Sequence, residues 1–182
     1  MTIPSDSVLN LFLLAIGAAL GLHFLILFAI PYVAMWGVMR RVTRYVGLNC
    51  FAHVPQPTAK NRDVVRPSPD LIYSIAVFDV SRSPLQISVP APPAYMSLSL
   101  YAANTDNFYV VNDQQFDSAE LSFVLAKSSS VFLDQKEVRV IQTPTSQGII
   151  LLRYFAANAE ALSKINPIQE QVRITLHPLT CN

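Results

Sequence analysis

Asn104, Thr105, Asp106 and Asn107 form a polar knot between the apolar runs YMSLSLY and FYVVND. Amides and carboxylates at this spacing suit a cation loop, a ligand rim or a turn. A calcium loop requires an alternating acidic ladder with a central Gly and a terminal Glu, and that pattern is absent. Asn and Asp tolerate left-handed backbone and bond to their own main chain, so the knot reads first as a hairpin turn. Its functional version is a polar rim at one sheet end, made by Asn104, Asp106, Asn107, Asn112 and Asp113, that meets a ligand or another protein.

Other chemistry finds less support. His23, His53 and His177 lie far apart and show none of the close spacings of zinc ligands, so neither a metal nor a cofactor is expected. His53 and His177 read as surface or rim residues. There is no Gly-x-Ser-x-Gly elbow, no Walker loop and no dinucleotide Gly-x-Gly-x-x-Gly, in a chain with five glycines. Arg66, Asp70, Tyr73 and Arg153 fall in or beside predicted strands and read first as a buried polar cluster with structural ion pairs. An active site would need two acids in one cleft, and Asp106 joins the same four residues as a weak catalytic candidate.

The elements that must hold these residues differ sharply along the chain. Apolar residues make up 52% of it and charged residues 14%, against about 25% charged in ordinary soluble domains. Between Val8 and Met39 there is no Asp, Glu, Lys or Arg. That run exceeds the roughly 20 residues of one membrane span and falls short of the roughly 40 of a hairpin of two. The leader MTIPSDSVLN lacks Lys and Arg, the apolar core is too long for a signal peptide, and no Ala-x-Ala site follows. A retained anchor over residues 1–44 is therefore expected, with the span near Leu9–Ile30 and Pro31 disfavouring an unbroken helix beyond it. Tyr32, Trp36 and Tyr45 suit the interface, and Arg40, Arg41 and Arg44 suit the headgroup layer. The positive-inside rule then places the following domain in the cytoplasm. Gly17 and Gly21 form a close-approach motif for helix association. They lie roughly 140° around the helix from His23, a titratable group in mid-membrane and so a functional candidate.

Beyond Arg44 the chain holds 10 Lys and Arg against 11 Asp and Glu, so no basic face supports nucleic acid binding. Residues 45–69 are proline-rich and read as a linker. Residues 70–182 show seven or eight short apolar runs divided by turn residues, with one helical stretch, NAEALSKINPIQEQ, limited by Pro167. This pattern predicts a mainly β domain, a sandwich or jelly roll. In YMSLSLY, Met96, Leu98 and Leu100 share one face. Cys50 and Cys181 stand at opposite ends of the domain, where a disulfide is geometrically open in an oxidising compartment. Two unpaired thiols are the equal alternative.

The segments VVRPSPDLIYSIAVFDVSRSPLQISVP, AYMSLSLYAANTDNFYVVND and TPTSQGIILLRYF together resemble the domain of unknown function 1254, over about Asp63 to Phe155. The chain is similar in particular to its short, membrane-anchored bacterial members, in which His23 and Pro31 have counterparts. The resemblance implies a β-sandwich-like domain with no established reaction. It also implies a partner, because longer relatives carry a second domain, the domain of unknown function 1214, on the same chain. In the short form that half resembles a separate small membrane protein. Longer relatives look exported, which places the domain outside the bacterial cytoplasmic membrane, against the positive-inside expectation. The short members usually carry basic residues before the span, and this leader has none.

Two classes of function follow. One is a structural or interaction module on a single-pass membrane anchor. The other is a hydrolase subunit or small-ligand binder whose site the partner completes. An enzyme should show converging titratable groups in a pocket, a module a flat apolar patch.

Overall fold

The computed structural model describes residues 5–58, 67–115, 119–127 and 139–176. Arg66, His177 and Cys181 lie outside them, and with Cys181 the proposed Cys50–Cys181 pairing. Cys50 itself is exposed.

Helix α1 runs over Ser5–Val46, about 63 Å at 1.5 Å per residue. It is the one helix among the described residues long and apolar enough to cross a membrane. The helix does not end before Pro31, as the sequence suggested, but continues through it. A proline inside a helix removes one hydrogen bond, to the carbonyl four residues earlier. Here the segment beyond is held by packing. Met35 and Met39 are buried against Val77 and Ile149, with Val42, Ile75, Tyr101 and Ala103 around them. The shielded positions Pro31, Met35, Met39, Val42 and Val46 recur every three or four residues, which puts them on one helical face. Gly47 then adopts φ 87°, and its N–H donates to the Thr43 carbonyl at 2.9 Å, the usual left-handed helix stop.

Among the described residues nine strands follow: β1 (Phe51–Val54), β2 (Leu71–Asp79), β3 (Leu85–Pro90), β4 (Met96–Ala102), β5 (Asn107–Asn112), β6 (Glu120–Ala126), β7 (Val140–Gln142), β8 (Gln147–Phe155) and β9 (Arg173–Leu176). They form a five-stranded sheet in the order β1-β2-β8-β4-β5 and a four-stranded sheet in the order β7-β6-β3-β9. Strand β1 lies inside the stretch expected to be linker. It pairs antiparallel with β2, Phe51 opposite Ala76, so the sandwich begins almost where α1 stops.

The two sheets face each other across one core. Ile72, Ala76 and Phe78 of β2, Met96, Leu98 and Leu100 of β4, and Ile150, Leu152 and Tyr154 of β8 point inward. They meet Leu85, Ile87 and Val89 of β3 and Leu121, Phe123 and Leu125 of β6. Each fully buried Leu, Ile or Phe contributes about 1.5–3 kcal/mol. The run LIYSIAVFDV is apolar on both faces because one face enters this core while Val77 and Ile75, on the other, lie under α1. Helix α2 (Ala159–Gln169) is capped by Asn158, whose Oδ1 accepts from the Ala161 N–H at 2.8 Å. It sends Ile165 into the core and runs two residues past Pro167.

Candidate functional site

The AANTDN knot is a turn whose polar groups bind one another. Thr105 takes φ 74°, its N–H donates to the Ala102 carbonyl at 3.0 Å, and the Ala102 N–H donates to the Asp106 carbonyl at 2.9 Å. Asn104 Nδ2 donates to the Asp106 carboxylate. The expected rim is divided: Asn104, Asp106 and Asn107 precede β5 or begin it, whereas Asn112 and Asp113 lie at its far end. At about 3.3 Å per residue the two groups are about 17 Å apart, so they do not make one rim. Asp113 Oδ1 instead accepts from the Met96 N–H at 3.3 Å.

Of the proposed catalytic residues that are described, the structure brings Tyr73 and Arg153 together and leaves Asp70 and Asp106 apart. Strand register sets Tyr73 opposite Arg153, Arg153 opposite Ser97, and Ser97 opposite Asn112. These four side chains form one polar row across the outer face of the five-stranded sheet, the face away from the core. Asp70 is exposed in the turn before β2, and Asp106 is at the opposite end of the sheet. Arg153 Nη2 donates to Ser99 Oγ at 3.1 Å. Arg153 Nε, Ser97 Oγ and Asn112 Oδ1 are buried without a hydrogen-bond partner. The Tyr73 hydroxyl accepts from the Ser68 N–H at 3.0 Å. No carboxylate pairs with Arg153 among the described residues, against the ion pair that the sequence suggested.

Rows on either side are apolar. Toward the sheet end come Leu71, Phe155 and Tyr95, where the Phe155 N–H donates to the Tyr95 carbonyl at 2.9 Å. On the other side come Ile75, Leu151 and Val110, with Ser99 between the last two in the register. The next row, Val77, Ile149 and Tyr101, is covered by α1. Phe155, Tyr95 and Val110 are 44%, 49% and 53% exposed, so the part of this face away from α1 exposes apolar side chains on both sides of a largely buried polar row. The signal for Ser97 and Ser99 was the polar half of YMSLSLY, which reads as a solvated face until the flanking rows are known.

A second polar cluster was not visible in the sequence. His53 Nδ1 lies 2.9 Å from Ser74 Oγ. Gln169 Nε2 donates to Ser74 Oγ at 2.6 Å and to the Tyr73 carbonyl at 3.1 Å. Burial lowers the pKa of His53, Glu170 opposes that shift and Arg173 adds to it. Ser74 is fully buried and bound on both sides, so this trio fastens β1 and α2 to β2 and offers no free nucleophile. Asp79 similarly ties a sheet end. Burial pushes its pKa up, but hydrogen bonds from Ser81 and Gln147, with Arg82 nearby, bring it below the ordinary value.

On α1 the exposed flank carries Trp36, Arg40, Arg41, Arg44 and Tyr45 around an open groove, with the Arg40 guanidinium 5.0 Å from the Trp36 ring. Gly17 and Gly21 have open space around them, and His23 meets Phe24 edge to face at 5.8 Å. Among the described residues no three His, Cys, Asp or Glu side chains converge as a metal site requires.

A family model described as "Protein of unknown function (DUF1254)" matches residues 48–176. No curated protein matches the chain. Among solved structures, the VPA0106 protein from Vibrio parahaemolyticus is similar with a TM-score of 0.66 at 15% identity, over 83% of this chain and 36% of that one. An uncharacterised protein from Burkholderia cenocepacia is similar with a TM-score of 0.51 at 11% identity, over 85% of this chain and 42% of that one. The chain thus spans well under half the length of either structure, and the likeness is one of fold.

Proposed function

The chain belongs to the DUF1254 family of proteins of unknown function, and from that footing we propose that it is a bacterial single-pass protein of the cytoplasmic membrane whose β domain is a structural or interaction module. Its partner is a second small membrane protein resembling the domain of unknown function 1214. The observation that carries this is the outer face of the five-stranded sheet. Part of it is docked on the continuation of the apolar helix, and the rest exposes apolar side chains around a half-buried arginine that has no acid among the described residues.

A flat apolar patch marks association surfaces, whereas an enzyme site should gather titratable groups in a concavity. Tyr73 and Arg153 are neighbours, but no acid joins them among the described residues. The anchor's length gives a second support. The charge-free run from Val8 to Met39 matches the roughly 40–45 Å of a bilayer with its headgroup layers when the helix tilts by about 20–30°. Trp36 and the arginines then lie at the surface, with the sandwich held against it.

The test is affinity capture of the tagged protein from its own membranes in mild detergent. A stoichiometric small integral membrane protein is the expected companion. A chain that elutes alone, with α1 intact, contradicts the pairing.

A further inference from the structure

We infer that the uncovered outer face of the five-stranded sheet docks a partner protein chain, which presents a carboxylate side chain to Arg153 between apolar contacts to Phe155, Tyr95 and Val110. This docking face rests on the pairing proposed above and names its surface and chemistry.

Three observations converge on it. Arg153 is half-buried on a sheet face, its one hydrogen bond among the described residues goes to the neutral Ser99 hydroxyl, and its Nε is buried without a partner. A desolvated guanidinium lacking an anion is costly, and the cost falls when a carboxylate arrives with hydrogen-bond geometry. Charge complementarity therefore asks for an acid. Next to it, Ser97 Oγ and Asn112 Oδ1 are also buried and unpartnered, and Asn112 Oδ1 can only accept, so the occupant must also bring a donor. Finally, the flanking rows expose Phe155, Tyr95 and Val110. An aromatic and arginine centre is the composition of a protein interface hot spot, whereas a small carboxylate ligand would want a concave pocket. The face is also continuous with the surface that α1 already covers, so a partner spanning the same membrane would meet it beside the anchor.

The experiment places a benzophenone photo-crosslinking residue at Phe155 in the full-length protein in its native membranes, with a control at Gln86 on the other sheet. The expected result is a discrete adduct with one other protein from Phe155 only. Arg153→Gln lowers its yield at least tenfold without lowering the melting temperature of the purified protein. Where the crosslinked peptide identifies an acid, reversing the pair, Arg153→Glu with that acid changed to Arg, restores the adduct. Val110→Glu is a second variant that leaves Arg153 in place: it adds like charge against the incoming acid and lowers the yield as well. An adduct insensitive to both variants overturns the docking face. So does an adduct only with lipid or with a second copy of this chain. A stoichiometric companion that crosslinks from Gln86 and not from Phe155 removes this face while leaving the pairing intact. The absence of any companion removes both.

Discussion

Arg153 and Tyr154 are adjacent on β8 and point to opposite faces, and each carries a buried polar atom without a partner. For Arg153 the missing partner can come from outside. For Tyr154 it cannot, since the ring is fully buried between the sheets and burial alone pushes its pKa upward. An unsatisfied buried hydroxyl costs about 1–3 kcal/mol. Tyr154→Phe should therefore raise stability by about 1 kcal/mol, read as an upward shift of the denaturant midpoint at unchanged slope. Thr105 is the second strained residue: a β-branched side chain at φ 74° is disfavoured by about 1 kcal/mol or more. Thr105→Gly should stabilise by roughly that amount and leave partner capture unchanged, since the turn binds itself. His53 adds a pH dependence. Its folded pKa lies below 6.5, so the unfolded chain takes up the proton first. The stability is complete above about pH 6.5 and is lost as pH falls through the lowered folded value. The melting temperature should drop between about pH 7 and pH 5, and His53→Gln should remove that part of the drop. Asp79, with its pKa below 3.8, acts only in a lower window.

At the scale of elements, the joint between α1 and the sandwich is the feature most open to test. Met35 and Met39 pack on Val77 and Ile149, and Asn49 completes the joint. Its N–H donates to the Val77 carbonyl at 2.8 Å, and its Oδ1 accepts from the Asp79 N–H at 2.8 Å. The double change Met35→Ala and Met39→Ala should weaken the docking by about 2 kcal/mol or more per site. Hydrogen exchange of residues 35–46 should then accelerate while β4 and β8 keep their protection. Equal exchange in both proteins would show that the helix end is held by other means.

Much of this level was legible in the sequence. Period-two alternation put Met96, Leu98 and Leu100 on one face, which the structure turns into the core, and the charge-free run gave one long apolar helix. What escaped was set by tertiary contact. Pro31 is a local helix breaker, and only the sheet beneath Met35 and Met39 explains why the helix continues. Phe51–Val54 is too short to declare itself a strand until β2 offers its edge. The polar row was legible only in pieces. Tyr73 and Arg153 stood out by residue type, but Ser97 and Asn112 join them through strand register, which no local pattern encodes. For the same reason Asn112 and Asp113 looked close to Asn104 and Asp106, when the length of β5 divides them.

At the scale of the molecule, the apolar helix packs on the sandwich at the outer sheet face. The Gly17/Gly21 face is proposed to carry helix association in the bilayer. Replacing both glycines with Leu should reduce recovery of the companion several-fold without altering the sandwich's melting, and unchanged recovery would remove that role. The central claim is that the working unit contains a second, different membrane protein. Native mass spectrometry of the complex released from detergent tests it most directly. The expected species is heavier than this 20.2 kDa chain by the mass of one other integral membrane protein. A species at 20.2 kDa, or at a whole multiple of it, would mean that no such second protein belongs to the unit.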